Sequence, residues 1–196
     1  MSNIVDPLVR RIAARVRAER ERRRWTLARL ADESGVSQAM ISRIEREESS
    51  PTAVVLGKLS AAFQIGVSSL LEASPDGTGE GGGTGAVRRG ADAAEWRDPG
   101  TGYRRRQITT PGFPAEIAEI RLPPGAEVPY PAAAFAFVRQ VVWVLEGRLT
   151  FREGDLAHVL DAGDTIELGE PAPRTFVNDT ATECRYVVVL ARQQRP

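Results

Sequence analysis

The sequence predicts a two-domain chain, all-α in its N-terminal part and all-β in its C-terminal part. Three observations carry that expectation. Apolar residues recur at helical spacing through residue 71, a glycine-rich stretch follows, and beyond it the pattern turns to period two with frequent turn residues. The divisions are 1–72 for a helical domain, 73–90 for a linker and 91–196 for a β domain. A chain of 196 residues has room for two such small domains.

The helical elements follow in order. Leu8, Ile12 and Val16 recur every four residues and predict the first helix. Leu27, Leu30 and Ala31 form the next stripe, which Gly35 stops. Ser37 reads as an N-cap, with Met40, Ile41 and Ile44 as the third stripe. Pro51-Thr52 opens a fourth helix whose Val55, Leu56, Leu59 and Phe63 face inward, and Val67–Leu71 is a short fifth. In the linker, Ala73–Gly90, seven of 18 residues are Gly. No strand leads into it and the Gly-Lys-Ser/Thr ending of a phosphate loop is missing, so it reads as flexible coil. Such a linker predicts communication between the domains through dimer geometry or order rather than rigid transmission. Beyond it, Glu116–Leu122, Val141–Leu145, Leu149–Phe151, Thr165–Leu168, Thr175–Val177 and Arg185–Leu190 read as strands of a sandwich or barrel.

Charge and composition bound the function. The chain carries 26 basic and 26 acidic residues, yet residues 1–71 hold 12 basic against 8 acidic. A basic helical part on an acidic remainder points to a polyanionic partner. One cysteine, Cys184, excludes an internal disulfide and reads as a small buried apolar residue. With His158 as the one histidine, a Cys/His zinc cluster and any multi-histidine site are excluded. No apolar run approaches the ~18 residues of a membrane span, and no apolar leader is visible. The expectation is a cytoplasmic protein without cofactor.

Residues Thr26–Glu45, TLARLADESGVSQAMISRIE, have the grammar of a helix-turn-helix. Ala31 is small where two helices cross, Gly35 suits a left-handed turn, and Val36 plugs the gap between them. The run Ser37–Glu45 followed by Ser49-Ser50-Pro51-Thr52 resembles the signature of the phage-repressor-like (XRE/Cro) helix-turn-helix family, and the resemblance covers residues 8–71. It implies that the third helix enters the major groove of DNA with its N-terminal residues at base edges. Gln38 then suits adenine, Ala39 a thymine methyl, and Arg43 a guanine or phosphate, with Ser37 and Ser42 beside them. Thr26 would donate to a phosphate, and Arg22, Arg23 and Arg24 lie where the first helix nears the DNA backbone. The same resemblance pairs Arg20 with Glu45.

Residues 103–191 resemble the cupin family, a small double-stranded β-barrel. The carriers are Pro124-Gly125, Val141–Gly147 (VVWVLEG), Leu160–Asp164 (LDAGD) and Pro173–Asn178 (PRTFVN). A metal-binding cupin supplies three histidines and a glutamate. Here those positions fall on Ala134, Ala136, Arg174 and Gln140, none of them a good ligand for a divalent ion. Fusions of these two families include transcription regulators and a class of iron epoxidases, whose two histidines and carboxylate this chain lacks. Tyr130, Phe135, Phe137, Gln140, Trp143 and Arg174 fall where cupin pockets are lined, either as a ligand pocket or as packed core. Arg174 offers a fork to a carboxylate or phosphate.

The expected function is a sequence-specific DNA-binding regulator, a repressor by family habit and no enzyme. Its cupin domain dimerises over a palindromic double-stranded operator and senses a small anionic effector. The alternatives are an antitoxin-like or other protein-interaction role with autoregulatory DNA binding and, less favoured, a cupin enzyme.

Overall fold

The structure, a computed structural model, describes residues 7–71, 87, 89–90, 93, 95–110, 113–136 and 138–192. Most of the predicted linker, and Phe137, lie outside the described residues. Five helices come first: α1 (Pro7–Arg22), α2 (Leu27–Ser34), α3 (Gln38–Glu45), α4 (Ala53–Phe63) and α5 (Val67–Leu71). Their starts are capped by side chains. Thr26 accepts from the Arg29 amide at 3.1 Å, Ser37 from Met40 at 3.3 Å and Thr52 from Val55 at 3.3 Å. Gly35 ends α2 at φ +63°, a conformation that a side chain would strain. The predicted stripes meet in one core: Leu8, Ile12, Val16, Leu30, Val36, Ile41, Ile44, Leu56, Leu59 and Phe63 are all buried. Among the described residues no helix is long and apolar enough to cross a membrane.

Ten strands follow: β1 (Glu95–Arg97), β2 (Arg104–Gln107), β3 (Ala115–Leu122), β4 (Glu127–Tyr130), β5 (Val138–Glu146), β6 (Arg148–Glu153), β7 (Leu156–Asp161), β8 (Thr165–Glu167), β9 (Arg174–Val177) and β10 (Cys184–Arg192). A 3₁₀ turn, Ala132–Phe135, separates β4 from β5. The strands form two antiparallel sheets, ordered β1-β2-β3-β10-β5-β8 and β4-β9-β6-β7. Their facing sides bury Ala118, Ile120, Leu122, Val142, Val144, Leu149, Phe151, Phe176, Tyr186 and Val188. This is the double-stranded barrel of the cupin fold. It contains four strands that the sequence reading missed: β1, β2, β4 and β7.

The two domains pack directly on each other, contrary to the loosely tethered pair that the linker suggested. Helix α4 lies against β4 and the 3₁₀ turn. A Cβ added at Gly57 would stand 2.5 Å from the Tyr130 ring, so glycine is what permits that approach. The buried Asp98 carboxylate accepts the Ala53 amide at 3.1 Å, adding a cap to α4 from the barrel side. Ser69 donates to Glu116 at 3.4 Å, and Arg105 donates to the Ser68 hydroxyl.

Candidate nucleic-acid interface and barrel cavity

Helix α3 is anchored on one side and open on the other. Ile41 and Ile44 are buried beneath it, while Gln38, Ala39 and Arg43 are exposed and Ser42 is half-buried. The turn before it is fixed by Ser34, whose hydroxyl donates to the Leu30 carbonyl at 2.6 Å and accepts from the Val36 amide at 3.2 Å. Ser37 and Thr26 accept backbone amides through their side-chain oxygens, which leaves each hydroxyl proton free to donate outward. Among the described residues, the side chains of Gln38, Arg43 and Arg24 make no hydrogen bond or ion pair. Helix termini and free hydroxyl protons of this kind suit phosphates, and an unengaged amide or guanidinium suits base edges.

The arginines of α1 divide into structural and free ones. Arg20 grips Glu45 in a fork, Nε to Oε1 at 2.7 Å and Nη2 to Oε2 at 2.8 Å, as the family resemblance implied. Arg17 adds a bond to the Glu45 carbonyl at 2.6 Å. These contacts tie the end of α3 to α1, and Glu45 raises the pKa of Arg20. A second knot surrounds the buried Glu19, which meets Arg15 at 2.9 Å, Arg22 at 2.8 Å and Arg23. Burial opposes the Glu19 charge, but the hydrogen bonds from Arg23 and Arg22 and the charge of Arg15 outweigh it and hold the carboxyl below its ordinary range.

Arg23 is therefore misplaced in the predicted interface set. Its guanidinium also donates to the Phe63 carbonyl and lies over the Phe63 ring at 4.9 Å and the Trp25 ring at 5.7 Å. It secures α1 to α4 from inside the domain. Arg22 shares Glu19 but keeps a side chain that is 64% exposed, and Arg24 stands exposed at φ +55°.

The barrel holds a cavity of about 50 Å³. Tyr130, Phe135 and Gln140 line it, as the sequence suggested. Two other predicted lining residues do not serve as expected. Trp143 is 47% exposed on the outer face of the larger sheet, because β5 turns Gln140, Val142 and Val144 inward. Arg174 is buried and engaged within the protein, with Nε at 2.9 Å from Glu153 and Nη2 at 2.5, 3.1 and 2.8 Å from Glu153 and the Gly169 and Glu170 carbonyls. Its cation also lies 4.6 Å from the Phe135 ring centre, and Glu153 already supplies its carboxylate partner.

Among the contributors to the cavity that escaped the sequence reading are Tyr103, Arg105 and, from the helical domain, Gly66 and Val67. Arg105 is 6% exposed. Burial opposes its charge, while Tyr103, Tyr130 and Glu116 outweigh burial and keep it protonated. Burial pushes the hydroxyls of Tyr130 and Tyr186 well above their ordinary pKa, so both are neutral donors. Of the positions where a metal-binding cupin carries ligands, Ala134 sits on the 3₁₀ turn and Ala136 just after it, Gln140 on β5 and Arg174 on β9. Among the described residues no group of three or more His, Cys, Asp or Glu could hold a metal. His158 packs on the Phe151 ring, and burial lifts the Cys184 thiol to about 12, an inert value.

The outer face of the six-stranded sheet is split in character. At one end Arg104, Arg106 and Arg121 interlace with Glu119 and Glu183. At the other, Trp143 stands opposite Val187, and Val141 lies in register with Val189, which faces Ile117.

The helix-turn-helix family model matches residues 16–70. The HTH-type transcriptional regulator SutR of Escherichia coli K12 is 37% identical over 67 residues, 34% of this chain and 38% of that protein, so the match spans about two-fifths of the relative's length. An HTH_3 family transcriptional regulator from Vibrio cholerae superposes over 95% of this chain and 98% of its own, at a TM-score of 0.74 and 22% identity. The hydroxypropylphosphonic acid epoxidase of S. wedmorenis aligns over 93% of this chain and 97% of its own at a TM-score of 0.46 and 16% identity. Residues 16–70 thus form a helix-turn-helix domain, carried in a chain whose C-terminal part is a two-sheet antiparallel β-barrel.

Proposed function

We propose that the protein is a cytoplasmic, sequence-specific DNA-binding transcriptional regulator, acting as a repressor by occupying its operator. The observation that supports this best is the state of α3. Its Gln38, Ala39 and Arg43 are exposed and unengaged, while the Ser37 cap and the Arg20–Glu45 fork hold the helix rigid from both ends. Thr26, Ser37, Ser42, Arg22 and Arg24 border the same surface in this reading and serve phosphates. The regulator is a homodimer joined through the apolar end of the outer sheet face around Trp143, so that two α3 helices read half-sites about 34 Å apart. The barrel senses a small-molecule effector, and a cavity walled by both domains supports that role. Enzymatic chemistry is not part of this reading, since Ala134, Ala136, Gln140 and Arg174 stand where a cupin enzyme carries its ligands.

The test is Gln38→Ala, assayed on a randomised duplex library at about 0.15 M salt. Discrimination at one base position should relax by about 1–3 kcal/mol while binding to random DNA is unchanged. Equal losses on selected and random DNA would remove Gln38 from base reading.

A further inference from the structure

The cavity between the domains has one polar feature without a structural explanation. Arg105 enters it from β2, a strand whose neighbours in sequence are arginine and glutamine. Its Nη2 is engaged by Ser68, but its Nε, fully buried, has no hydrogen-bond partner among the described residues. A buried guanidinium N–H without an acceptor is costly, and native proteins retain such groups where something else supplies the acceptor. Glu116, the nearby carboxylate, is bonded by Ser69 and is not part of the cavity wall. The remaining surface is largely hydrocarbon and aromatic, with the hydroxyls of Tyr103, beside Arg105, and of Tyr130 and Tyr186, and the Gln140 amide, as further polar groups.

We propose that this cavity binds a two- or three-carbon carboxylate, with one carboxylate oxygen accepting from Arg105 Nε and the alkyl end against Phe135 and Val188. Size and polarity select that class. A water-sized atom needs about 10–15 Å³ of such volume, so about 50 Å³ accommodates roughly four heavy atoms, as in acetate. Phosphate or sulfate would leave charged oxygens against hydrocarbon. The proposal rests on the effector-sensing reading above and names its ligand. It also names the route to DNA. Gly66 and Val67 close the cavity from the helical domain, and the same guanidinium holds Ser68 of α5, so an occupied cavity steadies the domain contact.

The experiment is titration of the full chain with acetate, propionate, acetamide and methylammonium at constant ionic strength, read by calorimetry and by the shift in Tm. Acetate and propionate should bind and raise Tm, and acetamide and methylammonium should not. Arg105→Gln should weaken acetate at least about tenfold. Because that substitution also removes the Ser68 bond, Ala134→Leu serves as a second variant. It fills the cavity from the 3₁₀ turn, leaves Arg105 intact, and should abolish binding in a folded protein. Equal binding of acetate and acetamide, or acetate binding that survives both variants, overturns the assignment. If methylammonium or acetamide alone binds and shifts operator affinity, the carboxylate assignment fails while the sensing reading stands. If none of the four binds, the cavity site itself is overturned.

Discussion

Gly57→Ala tests the domain contact on which much of this account depends. In an exposed helix interior the change should stabilise by about 0.5–1 kcal/mol, because glycine is the poorer helix former. Position 57 is instead buried against the barrel, where the added methyl would stand 2.5 and 2.9 Å from two carbons of the Tyr130 ring. Carbon atoms settle at about 3.5–4.0 Å, so the ring or α4 must retreat by about 1 Å. Overpacking of that kind costs about 1–3 kcal/mol. The difference is a net destabilisation of up to about 2.5 kcal/mol, centred near about 1 kcal/mol, in full-length protein. The assay is denaturant unfolding of the full chain followed by far-UV circular dichroism, repeated in a Tyr130→Ala background. There the clash is gone and the same substitution should stabilise by about 0.5–1 kcal/mol. If Gly57→Ala stabilises the wild-type background, α4 is not docked on the barrel and the shared cavity wall goes with it.

Three further outcomes follow from the same geometry. Glu45→Gln keeps the shape of the Arg20 fork but removes its charge beneath α3. It should cost about 2–3 kcal/mol in stability of the helical domain and weaken operator binding, checked by urea melts and gel shifts. The Glu19 carboxyl has a folded pKa below its ordinary 4.5, so its contribution is present above that value and lost as pH falls through the lower folded value. Acid titration should therefore loosen the α1–α4 packing below about pH 4.5 in wild type, and a Glu19→Gln variant should lose that step. Trp143→Glu should convert the proposed dimer to monomer by light scattering without unfolding the barrel, and an unchanged mass would move the dimer interface elsewhere.

The helical domain was legible because its signals are local and redundant. Stripe spacing, the Ser37 and Thr52 caps and Gly35 all point to the same boundaries. The missed strands lack such agreement. β2 is RRRQ, with its one buried residue charged, and β4 contains Pro129, tolerated because β4 is an edge strand. β7 exposes Leu156 and Val159 and buries Leu160, so its apolar residues do not mark one face. The Arg105 assignment was lost with β2, since a buried arginine has no periodicity to announce it. The Trp143 assignment, by contrast, could have been avoided. Gln140 and Trp143 are three apart on one strand, and an odd separation places them on opposite faces. Gly57, a glycine in the middle of a helix, was the available signal for a close inter-domain approach, and Arg23 needed the fold to show that Glu19 and the Phe63 carbonyl lie within its reach.

The central claim is that α3 reads a DNA sequence. Selection of genomic fragments by the purified full-length protein, at about 0.15 M salt, tests it most directly. The account predicts enrichment of a short palindrome with half-sites about one helical turn apart. Salt-sensitive retention of DNA with no enriched sequence would contradict it, leaving the helical domain a general anchor on phosphates.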